Sequence, residues 1–455
     1  MGLNNRKENR KMEQTIQLSD HFGYRRLIRF TIPSILMMIF TSIYGVVDGF
    51  FVSNFVGKTS FAAVNFIMPF LMITGVMGFM FGTGGSALIA KIMGEGKKEK
   101  AQKIFSLLIM ATIICGIVIG AISIIFLRPV AVFLGARGEM LEECIIYGRI
   151  ILVALPFLML QYAFSSLAVT AEKPKLGLIV TVTAGVINMV GDALFMAVFQ
   201  WGIAGAAMAS ALGQIVGGII PLIYFARKNT SRLRIVRPEW DGRALLRICT
   251  NGCSELMSNI SMSVVGMLYN TQLMKYAGED GVAAFSIACY FFPIIFMVYN
   301  AIGQSAQPIL SYNFGAGDEA RVRSAFRLAL ATAVICGLVF FALTAIFNHQ
   351  IVAMFIDRSY PAYDIAVSGL PLFASGFVFF AVNIVSIGYF QSVERARPAM
   401  VVTVLRGFVF MVICLLGLPL LFKVPGIWLA VPLAEVLTFL VITIIYWRKH
   451  QSVRG

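Results

Sequence analysis

Residues 28–52 read IRFTIPSILMMIFTSIYGVVDGFFV. Beyond Arg29 the only charge in this stretch is Asp48. A helix rises about 1.5 Å per residue, so about 20 predominantly apolar residues cross the roughly 30 Å hydrocarbon core of a bilayer. The stretch has that length and composition, with one acid near its far end. Eleven further stretches of the same kind follow, at 61–90, 104–127, 146–171, 176–199, 202–226, 248–274, 281–312, 326–347, 362–392, 399–421 and 426–447. Pro33, Pro156, Pro293, Pro371 and Pro432 lie inside these spans and are expected to mark bends.

The whole chain agrees with that opening. It has 455 residues, 59% of them hydrophobic and 13% charged, with a mean hydropathy of +0.84. Soluble domains carry about 25% charged and about 45–50% apolar residues. A water-soluble enzyme is excluded, because too little polar surface exists to cover it. Disorder is excluded by the abundance of Phe, Ile, Val and Leu. The expectation is an all-α integral membrane protein with twelve transmembrane helices. The net charge of +15 then reports topology. It implies contact with anionic membrane lipid, and no nucleic-acid partner. With the N-terminus inside, inner segments hold 29 Lys and Arg and outer loops hold seven. Both termini are therefore expected in the cytoplasm, in a multi-pass plasma-membrane protein.

Two halves of one repeat are visible. Gly57, Ala62, Ala63, Gly82, Gly94 and Gly96 recur at one fixed displacement as Gly278, Ala283, Ala284, Gly303, Gly315 and Gly317. Pro174, Gly202 and Ile203 recur as Pro398, Gly426 and Ile427, at a displacement longer by what a small loop insertion would add. The expected organisation is a cytoplasmic tail (1–27), a six-helix lobe (28–226), a charged linker (227–247), a second six-helix lobe (248–447) and a cytoplasmic tail (448–455). A parallel repeat of six spans is the architecture of alternating-access transporters, with substrate between the halves. The segment Gly82-Thr83-Gly84-Gly85-Ser86 lies within a span and has no following Lys, so it reads as close helix packing.

An ionisable side chain at the bilayer centre costs about 2.5–3.5 kcal/mol on insertion scales, so each one calls for a role. Asp48 lies toward the far end of its span counted from Arg29, and Asp192 stands at a similar distance from Lys175. Asn188 lies one turn before Asp192, and Ser210 lies near the outer end of the sixth span. All four fall at comparable depth in the outer half of the first lobe. An oxygen-only set of this kind suits a hard cation such as Na⁺. Two close carboxylates repel, so such a pair also carries a proton. Asp48, Asn188, Asp192 and Ser210 are thus the expected coupling site for H⁺ or Na⁺, with no other metal and no cofactor. The repeat carries Tyr269, Val412 and Leu416 opposite Asp48, Asn188 and Asp192. The second half instead has Glu255, Arg406 and Glu435 within spans, with Glu255 and Arg406 at similar depth. These three, with Gln307, form the expected lobe-polar or substrate site, and Arg406–Glu255 is the expected ion pair.

These motifs resemble the multidrug and toxic compound extrusion (MATE) family over essentially the whole chain. Tyr44-Gly45-Val46-Val47-Asp48 is similar to the family's first helix. Asn188-Met189-Val190-Gly191-Asp192 resembles its fifth-helix pattern, and Gly202-Ile203-Ala204-Gly205-Ala206-Ala207-Met208-Ala209-Ser210 its sixth, where Thr usually stands last. Gln307-Pro308-Ile309-Leu310-Ser311-Tyr312-Asn313-Phe314-Gly315 is similar to the eighth-helix motif of bacterial members, and the first-half acid pair resembles the DinF/MepA-type branch. Val169-Thr170-Ala171-Glu172-Lys173-Pro174 departs from the common Arg-Ala-x-Gly pattern. The resemblance implies a MATE-type fold of two pseudo-symmetric bundles. It also implies monomeric, non-enzymatic export of amphipathic, often cationic, drugs in exchange for inward H⁺ or Na⁺. The alternatives are a lipid-linked oligosaccharide flippase of the same superfamily, with a more cationic cavity, and an intramembrane aspartyl protease. The protease pattern has Tyr before one Asp and Gly-x-Gly before the other, where this chain has Val47 and Met189.

Overall fold

The computed structural model describes residues 16–452. Residues 1–15 of the expected N-terminal tail and 453–455 of the expected C-terminal tail lie outside the described residues. The described residues are mostly helical and contain no strand. In order, α1 is Tyr24–Phe51, α2 Lys58–Gly94, α3 Lys98–Leu134, α4 Glu139–Thr170, α5 Pro174–Asp192, α6 Gly202–Ala226 and α7 Gly242–Gly315. Then come α8 Glu319–Ile346, the short α9 Asn348–Ala353, α10 Pro361–Ala374, α11 Phe377–Ser392, α12 Ala396–Val404, α13 Phe410–Phe422 and α14 Val424–Ser452. Three π-helical segments interrupt the regular helix: Val52–Val56, Ala193–Val198 and Leu405–Val409.

Among the described residues, ten helices are long and apolar enough to cross a membrane. One of them, α7, has 74 residues, about 110 Å of helix and far more than one bilayer. It breaks at Gly278, whose φ of 60° and ψ of −153° are not helical. A conformation of that kind is open to glycine at little cost. Helices α10 and α11 are together long and apolar enough for one span, with a bend of 43° between them. With α7 counted as two crossings and α10–α11 as one, the ten become twelve. Of the expected bend positions, Pro371 stands within one turn of the 43° break between α10 and α11. Helix continues through Pro33, Pro156 and Pro432, and the irregularities sit at the π segments, at Gly278 and between Ala374 and Phe377. In a membrane helix the groups freed by a proline are satisfied locally, so proline need not end the helix.

The repeat reappears as backbone geometry. After α2, Glu95, Gly96 and Lys97 donate to the carbonyls of Lys91, Met93 and Ile92. At the matching positions of the second half, Ala316, Gly317 and Asp318 donate to those of Tyr312, Phe314 and Asn313. The φ angles of Gly96 and Gly317 are 77° and 74°.

Two compact units result. They differ from the expected lobes, because the first runs through Gly252 and also takes in Gln307–Arg323. Glycine-mediated packing explains the difference. A Cβ on Gly84 would overlap Ile248 O, and one on Gly252 would overlap Met80 O. Gly94 and Gly315 stand likewise against Tyr312 O and Lys91 O. Backbone therefore lies on backbone, in the small-residue manner of membrane helices, and both ends of α7 are held on α2. The expected linker 227–247 also packs into this unit. Leu233 is fully buried, Val236 N donates to Ser106 Oγ at 2.8 Å, and Lys103 pairs with Glu239 at 2.7 Å. Part of the expected tail does the same, since Leu18 is fully buried and donates its N–H to Glu172 Oε1 at 2.8 Å.

Within the first unit, α4 packs on α2, α3 and α6, while α5 packs on α1 and α6. Within the second, α14 packs on α10, α11 and α13. The core of the second unit is an array of rings, including Trp428, Phe285, Phe373, Phe292 and Phe380.

Candidate functional site

The first unit gathers the four expected coupling residues, on three helices made to approach closely by small residues. A Cβ on Gly191 of α5 would lie 2.9 Å from the Ala209 Cβ of α6, and one on Gly213 of α6 would lie 3.0 Å from Ala184 O of α5. Gly185 gives room for the Tyr44 ring of α1. Asp48 from α1 and Asp192 from α5 consequently meet side chain to side chain. Asp192 is fully buried, and Asn188 nearly so.

Ser210 is the hub of the site. Its hydroxyl bonds the Asp48 carboxylate, and it accepts from Asn188 Nδ2 at 3.4 Å. It also bonds the Tyr147 hydroxyl, brought in by α4. Tyr147 is 2% exposed and faces both carboxylates. The sequence reading did not single it out, because a tyrosine in an apolar helix reads first as packing. Its signal was a hydroxyl among the apolar residues of the first half of α4.

Four oxygens of the site have no donor. Asp48 Oδ1, both carboxylate oxygens of Asp192 and Asn188 Oδ1 are buried with no hydrogen-bond partner among the described residues. Buried polar atoms are nearly always satisfied, and a buried charge is costly unless compensated. Four converging oxygens without a donor make a site that a proton or a small hard cation would complete. Its donor set fits Na⁺, which takes carboxylate and amide oxygens. The π segments Val52–Val56 and Ala193–Val198 begin one turn after Asp48 and directly after Asp192. Such segments are frequent at functional positions.

The second unit holds a separate polar cluster. Arg406, in the π segment between α12 and α13, donates from Nε to Glu435 Oε1 and Oε2 at 2.7 and 3.0 Å. Asn383 Nδ2 donates to Glu435 Oε2 at 2.7 Å, and the Arg406 guanidinium lies 4.2 Å from the Phe380 ring centre. The expected Arg406–Glu255 pair is therefore corrected: Glu435 is the partner. Similar depth said nothing of which way each helix faces. Glu255 instead takes a hydrogen bond from Gln391 and lies within the electrostatic reach of Arg406. Gln307 is not part of this cluster. It is buried in the first unit and donates to Thr83 O at 3.3 Å.

The sequence model of the MatE family matches the chain twice, at residues 33–194 and 256–416, so the family's unit is itself the half-chain repeat. The multidrug export protein MepA of Staphylococcus saprophyticus is 23% identical over 92% of this chain and 91% of its own. That of Staphylococcus haemolyticus is 22% identical over 97% of each. Among solved structures, an outward-facing multidrug resistance MATE transporter superposes with a TM-score of 0.89 at 20% identity, covering 97% of this chain and 99% of that one. A MOP superfamily transporter from Pyrococcus furiosus, described as having a binding pocket of reversed polarity, superposes at 0.88 with the same identity and coverage. These structures share the fold. Because the family model accounts for well over half of the sequence, the chain belongs to the MatE family, whose members are membrane transporters and not enzymes.

Proposed function

We propose that the protein is a secondary active multidrug exporter. It expels amphipathic, often cationic, organic compounds across the plasma membrane in exchange for inward H⁺ or Na⁺, by alternating access. The observation that carries this reading is the set of four donor-free buried oxygens of Asp48, Asp192 and Asn188. The MepA relatives, named as multidrug export proteins, supply the substrate class. The 29-to-7 basic bias supports cytoplasmic termini, which puts the carboxylate pair in the outer half of the membrane, where a cation enters from outside. The protein works as a monomer in lipid.

Binding of the ion neutralises the Asp48–Asp192 repulsion. The π segments that follow the two acids are the places where α1 and α5 change register most cheaply. Neutralisation biases that change, and with it the helices that line the drug's path. A drug cation then leaves as the ion arrives.

The experiment is drug exchange in vesicles reconstituted with the full chain. A fluorescent organic cation is driven by an imposed pH gradient or by an imposed Na⁺ gradient, and the arm that responds names the ion. Asp48→Asn and Asp192→Asn each abolish coupled transport without loss of expression. Normal drug export by either variant, or no response to either gradient, overturns the reading.

A further inference from the structure

The first unit contains a cavity that the coupling site does not use. It measures about 10 Å³ and is lined by Gln161, Ser165, Thr181, Gly217 and Pro221, among others, from α4, α5 and α6. A cavity of about 10–15 Å³ holds one water if polar partners surround it. Two amide or hydroxyl side chains from α4 and one from α5 supply those partners. The opening is kept by glycine, since a Cβ at Gly217 would come within 2.6 Å of the Gln161 side chain.

The position of the cavity is set by helical register. Thr181 precedes Asn188 by two turns on α5, and Gly217 follows Ser210 by two turns on α6. Two turns are about 10 Å, so the cavity lies on the same faces as the coupling site, nearer the α4–α5 turn. Between the two, one turn below Ser210, stands Gln214. Its Oε1 is buried and has no hydrogen-bond partner among the described residues. A buried amide oxygen between two polar pockets calls for water. The remaining lining is apolar, so Gln161, Ser165 and Thr181, with Gln214 at the next turn of α6 toward Ser210, are polar groups set in otherwise hydrocarbon-like packing.

Resting on the ion-coupled reading above, we infer that this cavity is a hydrated waypoint through which the coupling cation leaves the Asp48–Asp192 site, by way of Gln214, toward the α4–α5 end of the unit. Neutral amide and hydroxyl oxygens hold a small monovalent cation or a hydrogen-bonded water weakly enough to release it. The carboxylates bind the ion, and these groups pass it on.

The test uses the full-length protein in vesicles, with the fluorescent organic cation driven by whichever gradient the wild type obeys. Gln214→Leu and Thr181→Val each remove a polar group at nearly constant volume, and Gly217→Ala fills the cavity. Each slows the initial coupled rate by about fivefold, the cost of one net hydrogen bond in the path. The affinity for the fluorescent cation, measured at equilibrium without a gradient, stays at the wild-type value. Gln214→Asn, which keeps the amide, restores most of the rate. Wild-type rates in both Gln214→Leu and Thr181→Val overturn the inference. An equal loss of drug affinity also overturns it, because Gln214 would then belong to the drug pocket. Coupled transport by Asp192→Asn would instead overturn the ion-coupled reading, whatever the Gln214 variants do.

Discussion

Arg406 donates to both carboxylate oxygens of Glu435, at 2.7 and 3.0 Å, in the unit whose repeat partner holds two acids that meet without a cation between them. The second half thus carries a resident countercharge at Glu435, whereas among the described residues no ion pair is made to Asp48 or Asp192 of the first half. One half of the duplicated chain is self-neutralised at this pair, and the other brings two carboxylates together. Duplication followed by opposite charge choices gives two similar folds with different electrostatic needs.

The Arg406–Glu435 pair should behave as a buried ion pair, with side-chain exposures of 10% and 4%. Removing one partner strands the other, at a cost of about 3–5 kcal/mol. Arg406→Met alone is expected to lower the melting temperature of the detergent-solubilised protein sharply. Arg406→Met with Glu435→Gln is expected to recover most of that loss. A double variant no better than the single one would show that the pair does not act as a unit.

Ser210 joins Asp48, Asn188 and Tyr147, and the family usually places Thr at its motif position. Ser210→Thr keeps the hydroxyl and should transport like the wild type. Ser210→Ala removes about one net hydrogen bond, about 1 kcal/mol, and should raise the half-saturating concentration of the coupling ion about fivefold. The measurement is gradient-driven drug exchange as a function of ion concentration. Equal behaviour of the Ala and Thr variants would remove Ser210 from the site.

The crossing of α2 with both ends of α7 rests on Gly84, Gly252, Gly94 and Gly315, each facing backbone atoms of the other helix. Backbone cannot rotate away as a side chain can, so overpacking here costs at least the usual 1–3 kcal/mol or so. Gly252→Leu and Gly315→Leu should reduce yield and melting temperature. Gly417→Leu, where an added Cβ meets nothing within 4 Å, should not. Comparable losses in all three would mean that helix propensity, not the crossing, sets the effect.

The spans and the meeting of the first-half acids were legible because both are one-dimensional signals: length of apolar run, distance from the last charge, and recurrence at a fixed displacement. Asp48, Asn188, Asp192 and Ser210 could be grouped by depth alone, and they do meet. The partner of Arg406 could not be read that way, because Glu255 and Glu435 are both buried acids and only helix packing decides which one faces the guanidinium. Tyr147 and Gln214 were hidden among many aromatic and amide side chains whose use depends on neighbours distant in sequence. The π segments left no composition signal. The assignment of both α7 ends to the first unit was encoded, in Gly84 and Gly252, but pairing two glycines across helices needs the crossing itself.

The α4–α5 turn carries a buried carboxylate contact on the side facing the N-terminal segment. Glu172, in a left-handed backbone conformation with φ of 62°, accepts the Leu18 N–H at 2.8 Å and lies 3.5 Å from Arg232 Nε. Burial pushes its carboxyl above the ordinary value of 4.5, while the Leu18 N–H and Arg232 pull it partly back down. A carboxyl raised in the folded state contributes stability that is fully present below its ordinary value and is lost as pH rises through the raised one. The melting temperature of the wild type in detergent is therefore expected to gain a component as pH falls from neutral toward that ordinary value. Glu172→Gln, neutral throughout, can still accept from Leu18 and should lack that component, with little loss of stability at neutral pH beyond its partly exposed pairing with Arg232. Leu18→Ala tests the same contact from the other side: removing a fully buried leucine side chain should cost about 2–5 kcal/mol. An unchanged pH slope in Glu172→Gln would assign the titration to another group, and an unchanged melting temperature in Leu18→Ala would show that the N-terminal segment does not hold the turn.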